Sequence, residues 1–399
     1  MSERMGSNTL PVLLENAASR FPGEAAVVTD QACTTFADLE RRVRQTAGAF
    51  RSLGIRKGSR VALCLPNVPA FTESYFGALY AGAVVVPLST LLAPGEIVRA
   101  MVHSECDLLV TDRVDLPELN AKVLKADTGE GPRAADDVQS LHGFVDGADP
   151  IDYEGGDPSD TAVIFYTSGT TGAPKGAQVS HFNLVSNARW VSERSLWAGS
   201  QSPTWGPGHV SIALLPFSHS FGQTCVQNAS LMNGAAICFS ASRFSPDAAM
   251  ASIDTHAVSI MAAVPAMVKA MLDSPSLGTF DLTSLRYSLI GGAPIPRPLV
   301  EALEARTGLE VLEGYGLSET SPVIAFRTPA VPRAWGSVGR PIDGVDMVIA
   351  GEDGDPVEPG TRGEVVVKGD PVMKGYLHAP ELTTEAFHNG WFRTGDIGY

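Results

Sequence analysis

The 399-residue sequence is short of positive charge, of paired cysteines and of long apolar runs. Lysine and arginine number 29 against 44 acidic residues, a formal net charge of −15. A balance of that sign repels phosphate backbones and excludes a broad, sequence-independent nucleic-acid surface. The five cysteines (Cys33, Cys64, Cys106, Cys225 and Cys238) form no CxxC pair, so a zinc cluster or a thioredoxin-type site is unsupported. An odd number of thiols, thinly spread, fits a reducing compartment. Met1 to Asn8 lacks the basic-then-apolar pattern of a secretory signal. The longest apolar run, Phe76 to Leu88, is broken by Gly and Pro and is too short for a bilayer. These absences lead us to expect a soluble, cytoplasmic protein without a transmembrane segment.

Hydrophobic residues make up 44% of the chain, enough for a large core and against disorder. The 40 Gly and 28 Pro imply many turns rather than a helical bundle. Length alone suggests two or three compact units. Thr35 can cap a helix in which Leu39, Val43, Ala47 and Phe50 recur on one face, and Gly54 is its natural stop. Strand patterns follow at Arg60 to Leu65, Ala83 to Pro87 and Asp107 to Thr111. Helices are expected between them, at Pro69 to Ala81 and Ile97 to Ser104. Pro117 to Asp160 carries no strong periodic run and reads as a surface excursion. The rhythm then resumes with strands at Ala162 to Tyr166, Val210 to Leu215, Gly234 to Phe239, Ser259 to Val264 and Tyr287 to Gly291. Ala248 to His256, Ala266 to Ser274 and Pro298 to Gly308 read as the intervening helices. This is the alternation of an α/β protein with mostly parallel sheets. We expect one α/β subdomain over 1–160, a second over 161–329, and a small β-rich subdomain over 330–399. Val345 to Ala350 and Glu364 to Lys368 supply strands in the last of these.

The densest chemical signal is YTSGTTGAPKGA, Tyr166 to Ala177, placed directly after an apolar strand. Tyr166, Thr167, Ser168, Thr170 and Thr171 offer hydroxyls. The glycines let backbone N–H groups approach an anion, and Lys175 adds a point charge. These are the parts of a loop that grips a polyphosphate. The loop is not a Walker P-loop, because Lys175 follows Pro174 and precedes Gly176. Nor is it a GxSxG nucleophile elbow, because Tyr166 stands two residues before Ser168; Ser318 fails the same test at Thr320.

YTSGTTGAPKG resembles the signature loop of the adenylate-forming superfamily, which includes acyl-CoA synthetases, nonribosomal peptide adenylation domains and luciferases. Further motifs follow in the family's order: LLPFSHSFGQ (Leu214 to Gln223), GGAP (Gly291 to Pro294), GYGLSET (Gly314 to Thr320), GSVGRP (Gly336 to Pro341), GEVVVKGDPVMKGY (Gly363 to Tyr376) and GWFRTGD (Gly390 to Asp396). The resemblance implies ATP-dependent adenylation of a carboxylic acid, with pyrophosphate released. It implies that Thr167, Ser168, Gly169, Thr170, Thr171, Gly172 and Lys175 wrap the ATP phosphates, and that Glu319 holds Mg²⁺. It puts Gly292, Ala293, Pro294, Gly314, Tyr315 and Gly316 around the adenine and Ser318 near the α-phosphate or carboxylate. Asp396 would then accept from the ribose hydroxyls. Lys175, His219, Ser318 and Glu319 become the candidate catalytic groups. His219, Phe221, Gly222, Val264, Pro265, Gly291, Gly316 and Leu317 become the candidate acid pocket.

In the family a small mobile C-terminal domain follows the Gly-Asp motif and builds the thiol-transfer site. Here the sequence stops at Tyr399, without the Arg expected shortly after Asp396. It reads as the large N-terminal part of such an enzyme, with CoA or a carrier-protein thiol as the acceptor of a second half-reaction. No Asp or Glu occurs between Leu214 and Gln227, so nothing there would pair with an amino acid's ammonium group. A medium or long fatty acid is the first expectation and a bulky aromatic or polycyclic acid the second. A nucleotide- or acyl-binding module without catalysis is the alternative from another class.

Overall fold

Three sheets are threaded by one chain, and none of them is built from a single continuous stretch. The computed structural model describes residues 9–127, 140–168, 174–194, 205–241 and 243–399; of Ser168 and Pro174 only the backbone is described. The seven-stranded sheet runs Gly375–Tyr376, Pro174–Ser180, Thr161–Ser168, Val84–Pro87, Arg60–Cys64, Leu108–Thr111, Lys122–Lys125. Its five strands from Thr161–Ser168 to Lys122–Lys125 are parallel, and the other two are antiparallel additions. The nine-stranded sheet runs Arg340–Pro341, Val323–Phe326, Glu310–Gly316, Tyr287–Ile290, Ile260–Ala263, Val210–Ile212, Ala236–Cys238, Ala25–Val28, Cys33–Thr35. Its middle is parallel throughout. Val345–Ala350, Gly363–Gly369, Trp391–Gly398 and Phe387–His388 form the small antiparallel sheet. The α/β class with mostly parallel sheets and a small β-rich unit is therefore observed.

The sheets do not divide at residues 160 and 329. Ala25–Val28, near the start, pairs with Ala236–Cys238, and Thr161–Ser168 completes the sheet begun by Arg60–Cys64. One apolar core runs through all three sheets, from Leu63 and Phe165 through Ile260 and Leu289 to Val367 and Phe392. Two further clusters fill the opposite faces of the large sheets, around Ile253 and Val311 and around Ile97 and Leu109. Sheets covered on both faces explain why the parallel strands read as unbroken apolar runs.

Local signals place the elements. Thr35 caps the helix Phe36–Ser52 by accepting from Asp38 N, and Leu39, Val43, Ala47 and Phe50 are buried as their spacing requires. Gly54 ends it with φ of +87°. Helix Pro69–Tyr80 is apolar on nearly every side and correspondingly buried, against Phe36–Ser52 and the seven-stranded sheet. The excursion expected over 117–160 is corrected in part: Lys122–Lys125 is a parallel edge strand, and Ser140 caps a short helix, Leu141–Asp146. Of that strand only Leu124 is fully buried, so no apolar run betrays it. Helix His181–Arg194 carries buried Asn183 and Asn187 on its inner face, which hides its period. Both amides bond distant backbone. Asn183 donates to Asp370 O and Val372 O, and Asn187 donates to Val323 O while accepting from Val323 N. No helix among the described residues is long and apolar enough to cross a membrane.

Candidate active site

The carboxyl ends of three neighbouring strands in the nine-stranded sheet bring the adenine and acid motifs together. Ala263 is in register with Ile290, and Ile290 with Glu313. Val264 and Pro265, Gly291 and Gly292, and Gly314 to Gly316 therefore emerge side by side, at the edge where open α/β sheets bind ligands. Close backbone packing and a left-handed turn favour glycine here. A Cβ on Gly316 would lie 1.7 Å from Pro322 O. Gly292 has φ of +79°, and a Cβ there would meet Val264 at 3.3 Å. A Cβ on Gly291 would lie 3.2 Å from Gly314 O and 3.3 Å from the Phe221 ring. This edge is a backbone cradle with Phe221 and Val264 as its apolar walls. Tyr315 donates to Asp396 Oδ2 at 2.6 Å, tying the base side of the cradle to the small sheet. Desolvation and the Asp396 carboxylate both raise the Tyr315 pKa, so the phenol keeps its proton.

The phosphate side is assembled differently. Thr161–Ser168 and Pro174–Ser180 form an antiparallel hairpin with Thr167 opposite Lys175. Gly169, Thr170, Thr171 and Gly172, expected to wrap phosphates, lie outside the described residues, as does the side chain of Ser168. Thr167 donates to Glu319 Oε1 at 3.3 Å, although Glu319 belongs to the turn that follows Glu310–Gly316. Tyr376 donates to the same oxygen at 3.0 Å. The Lys175 ammonium lies over the Tyr376 ring, 5.5 Å from its centroid. Burial and the Glu319 charge raise the Tyr376 pKa, which keeps the hydroxyl a donor. Tyr166 is a correction: its hydroxyl contacts His103 Nδ1 at 2.7 Å and donates to Ala100 O, so it anchors the hairpin on the helix Pro94–His103 rather than offering a phosphate contact.

His219 caps the short helix Ser220–Gly222, its Nδ1 accepting from Phe221 N at 3.2 Å. Nδ1 is therefore unprotonated and Nε2 carries the hydrogen. The ring is solvent-accessible but surrounded by protein, and this desolvation lowers its pKa from the ordinary 6.5. The chain continues as a π-helix, Gln223–Asn228, a widened turn that recurs at functional sites. Ser220 Oγ lies 3.3 Å from Ser318 Oγ, which joins the acid segment to the nucleotide motif. Gly222 lets the short helix pack back on the preceding strand end, since a Cβ would meet Leu215 O and Pro216 O at 2.6 and 2.5 Å.

Most of the described candidates thus converge in two groups. Phe221, Val264, Pro265, Gly291, Gly292, Gly314, Tyr315 and Gly316 stand on the sheet edge, with Gly222, His219, Ser318 and Leu317 beside them. Thr167, Lys175 and Glu319 gather at the hairpin. Ala293 and Pro294 continue the Gly291–Gly292 turn and are exposed. Sequence reasoning missed two residues. Tyr376 sat inside a motif without a role. Asn67 gave no signal at all, yet it donates to Ala213 O and Leu215 O and accepts from Phe217 N, clamping the strand before His219.

The donor set fits a nucleotide with a hard divalent cation. Glu319 is a buried carboxylate whose Oε1 is taken by two hydroxyls, while no described residue hydrogen-bonds its Oε2. That leaves an oxygen for a cation such as Mg²⁺, which keeps most of its waters.

A family model described as AMP-binding enzyme matches residues 14–377. A feruloyl-CoA synthase of an Amycolatopsis species is 34% identical over 94% of this chain and 73% of its own length. A long-chain-fatty-acid–CoA ligase, FadD13, of Mycobacterium tuberculosis is 34% identical over 91% of this chain and 70% of its own. The solved N-terminal domain of FACL13 from Mycobacterium tuberculosis superposes with a TM-score of 0.84 at 31% identity, covering 98% of this chain and 96% of that one. By family model, sequence identity and fold alike, the chain belongs to the AMP-binding enzyme family as an adenylate-forming acyl-CoA ligase.

Proposed function

We propose that this chain catalyses the adenylation of a hydrophobic monocarboxylic acid by ATP. The carrying observation is the contact of Ser220 with Ser318, because it puts the acid segment against the nucleotide motif. A carboxylate held beside His219 and Ser318 would attack the α-phosphorus, forming the acyl–O–P bond as the bond to the β-phosphate oxygen breaks and pyrophosphate leaves. Little covalent chemistry falls to the protein, so positioning and charge carry the rate. Lys175 would neutralise the polyphosphate and Ser168 would donate to it, while the Thr167 hydroxyl, donating to Glu319, would hold that carboxylate beside the phosphates. Mg²⁺, held by Glu319, supplies further charge neutralisation when bound. Tyr315 would face the adenine, Asp396 the ribose, and Gly291 and Gly292 would let the base approach the backbone. His219, neutral through Nδ1, would offer Nε2–H to the acid. CoA is the acceptor proposed for the following half-reaction, with a carrier-protein thiol as the other possibility.

The absence of acidic side chains from Leu214 to Gln227 supports an acid without an ammonium group. A cavity of about 280 Å³ beside this segment, lined by Leu65, Leu214, Phe244 and Met267 together with Asn67, Thr90 and Arg243, offers room for the acid's tail. A fatty acid is the first reading. A hydroxylated aromatic acid is the second, favoured by polar atoms buried without partners on the π-helix: Gln223 Oε1, Thr224 Oγ1 and Gln227 Nε2. Exchange of labelled pyrophosphate into ATP, run with fatty, hydroxycinnamic and benzoic acids, tests both readings. Exchange strongest with a fatty acid supports the first and with a hydroxycinnamic acid the second. No exchange with any acid leaves a binding module and removes the proposal.

A further inference from the structure

The segment from Met373 to Leu377 joins the hairpin to the turn that carries Glu319. Met373 N donates to Glu319 O at 2.8 Å. Lys374 N donates to Gln178 O and Leu377 N to Gly176 O, so Gly375–Tyr376 adds to the hairpin as an outer strand. Its entry is fixed by Asn183, which donates to Asp370 O and Val372 O. Its exit is fixed by Thr383 Oγ1, which accepts from Tyr376 N at 2.9 Å. A Cβ on Gly375 would lie 2.7 Å from Thr383, so a glycine with φ of +141° lets the strap lie flat there.

Tyr376 is the one side chain in this strap that reaches both charged groups. Its hydroxyl donates to Glu319 Oε1, and its ring carries Lys175 on its face. No ion pair among the described residues joins Lys175 to Glu319 directly. An ammonium and a carboxylate at one corner attract each other, and direct pairing would use both groups on one another. A phenol satisfies each by a different means: a hydrogen bond for the anion, and the negative face of the ring for the cation.

We infer that Tyr376 is a positioning residue which holds Glu319 and Lys175 apart and aims each at its own ligand, the metal and the polyphosphate. The inference rests on the nucleotide–metal reading of this corner. Through its hydroxyl it orients the metal-binding carboxylate, and through its ring it orients the lysine. The two arms are separable by substitution. Tyr376→Phe removes only the hydroxyl, and Tyr376→Leu removes both.

The test is binding of Mn²⁺, followed by its electron paramagnetic resonance, to the full 399-residue chain with α,β-methylene-ATP. Binding of the analogue without metal is measured in parallel by calorimetry. Tyr376→Phe is expected to weaken Mn²⁺ binding about tenfold, the size typical of losing a partner that orients a metal ligand, and to leave metal-free analogue binding unchanged. Tyr376→Leu is expected to weaken both. In a Glu319→Gln background Tyr376→Phe should have no further effect on Mn²⁺, because its action runs through that carboxylate. Wild-type Mn²⁺ affinity in Tyr376→Phe, or an undiminished effect in the Glu319→Gln background, overturns the inference while leaving the site intact. Absence of any nucleotide-dependent Mn²⁺ binding by the wild type overturns the site reading and the inference together. Should Tyr376→Phe not fold, Tyr376→Leu still decides. Equal binding of metal and analogue by Tyr376→Leu and wild type removes both arms.

Discussion

The two sides of the site are held by different kinds of structure. On the adenine and acid side, consecutive parallel strands of one sheet deliver Val264, Gly291, Gly292 and Gly316 in register, and glycine contacts with backbone set the shape. On the phosphate side, Thr167, Glu319 and Tyr376 come from three distant stretches, and their functional groups are brought together by side-chain hydrogen bonds to the Glu319 carboxylate. The first kind of site is rigid wherever the sheet is formed. The second depends on a few polar contacts, each worth about a kcal/mol or more when a charge is involved. Substitutions should therefore separate the two sides: chemistry is lost first at the corner, and folding is lost first at the edge.

The largest effect is expected at the corner. Lys175→Ala or Glu319→Gln should lower pyrophosphate exchange by about 100-fold or more, as for other groups aimed at developing charge, with thermal stability nearly unchanged. A variant that exchanges like wild type removes that residue from the proposed machinery. The edge should respond in the opposite sense. Gly316→Ala puts a Cβ 1.7 Å from Pro322 O, so the Gly316 turn must move, at a cost of about 3 kcal/mol in urea unfolding. Gly291→Ala, with its nearest contact at 3.2 Å, should cost clearly less. Equal stability of the two variants would break the contrast.

Acid sharpens the comparison at the foot of the hairpin. His181 follows the strand Pro174–Ser180, and its Nδ1 accepts from Leu10 N. Burial lowers its pKa from 6.5 to about 4. Above pH 6.5 both folded and unfolded chains hold it neutral, and stability is full. Between pH 6.5 and 4 the unfolded chain binds a proton that the folded chain refuses, so stability falls as pH falls. The loss should be about 2 kcal/mol at pH 5 relative to pH 7, and His181→Gln should flatten that slope. A slope unchanged in the variant assigns the acid sensitivity elsewhere. The smallest effect is expected at Tyr315, whose ring stays in Tyr315→Phe while the bond to Asp396 is lost. The KM for ATP should rise a few-fold, about 1 kcal/mol, with little change in kcat.

The contrast also explains what could be read in the sequence. Strands buried on both faces appear as apolar runs, so Arg60–Cys64, Ile260–Ala263 and Tyr287–Ile290 are visible in the sequence, whereas the order of strands within each sheet, which joins distant stretches, is not. The sheet-edge residues follow those strands directly and carry motif glycines. Lys122–Lys125 was hidden because only Leu124 is fully buried, and His181–Arg194 because its inner face holds amides that bond distant backbone. Asn67 and Tyr376 act through partners about 150 and 57 residues away, a separation that local spacing cannot encode. Tyr166 shows the converse. Its place in a hydroxyl-rich motif suggested a phosphate contact, while its neighbours His103 and Ala100 bind it elsewhere.

The short strand Gly375–Tyr376 has one more effect. It occupies the outer side of Pro174–Ser180, which would otherwise present unpaired N–H and C=O groups at the rim of the seven-stranded sheet. A chain that lost this strap would expose a sticky border able to recruit another polypeptide, so solubility and nucleotide handling share the same five residues.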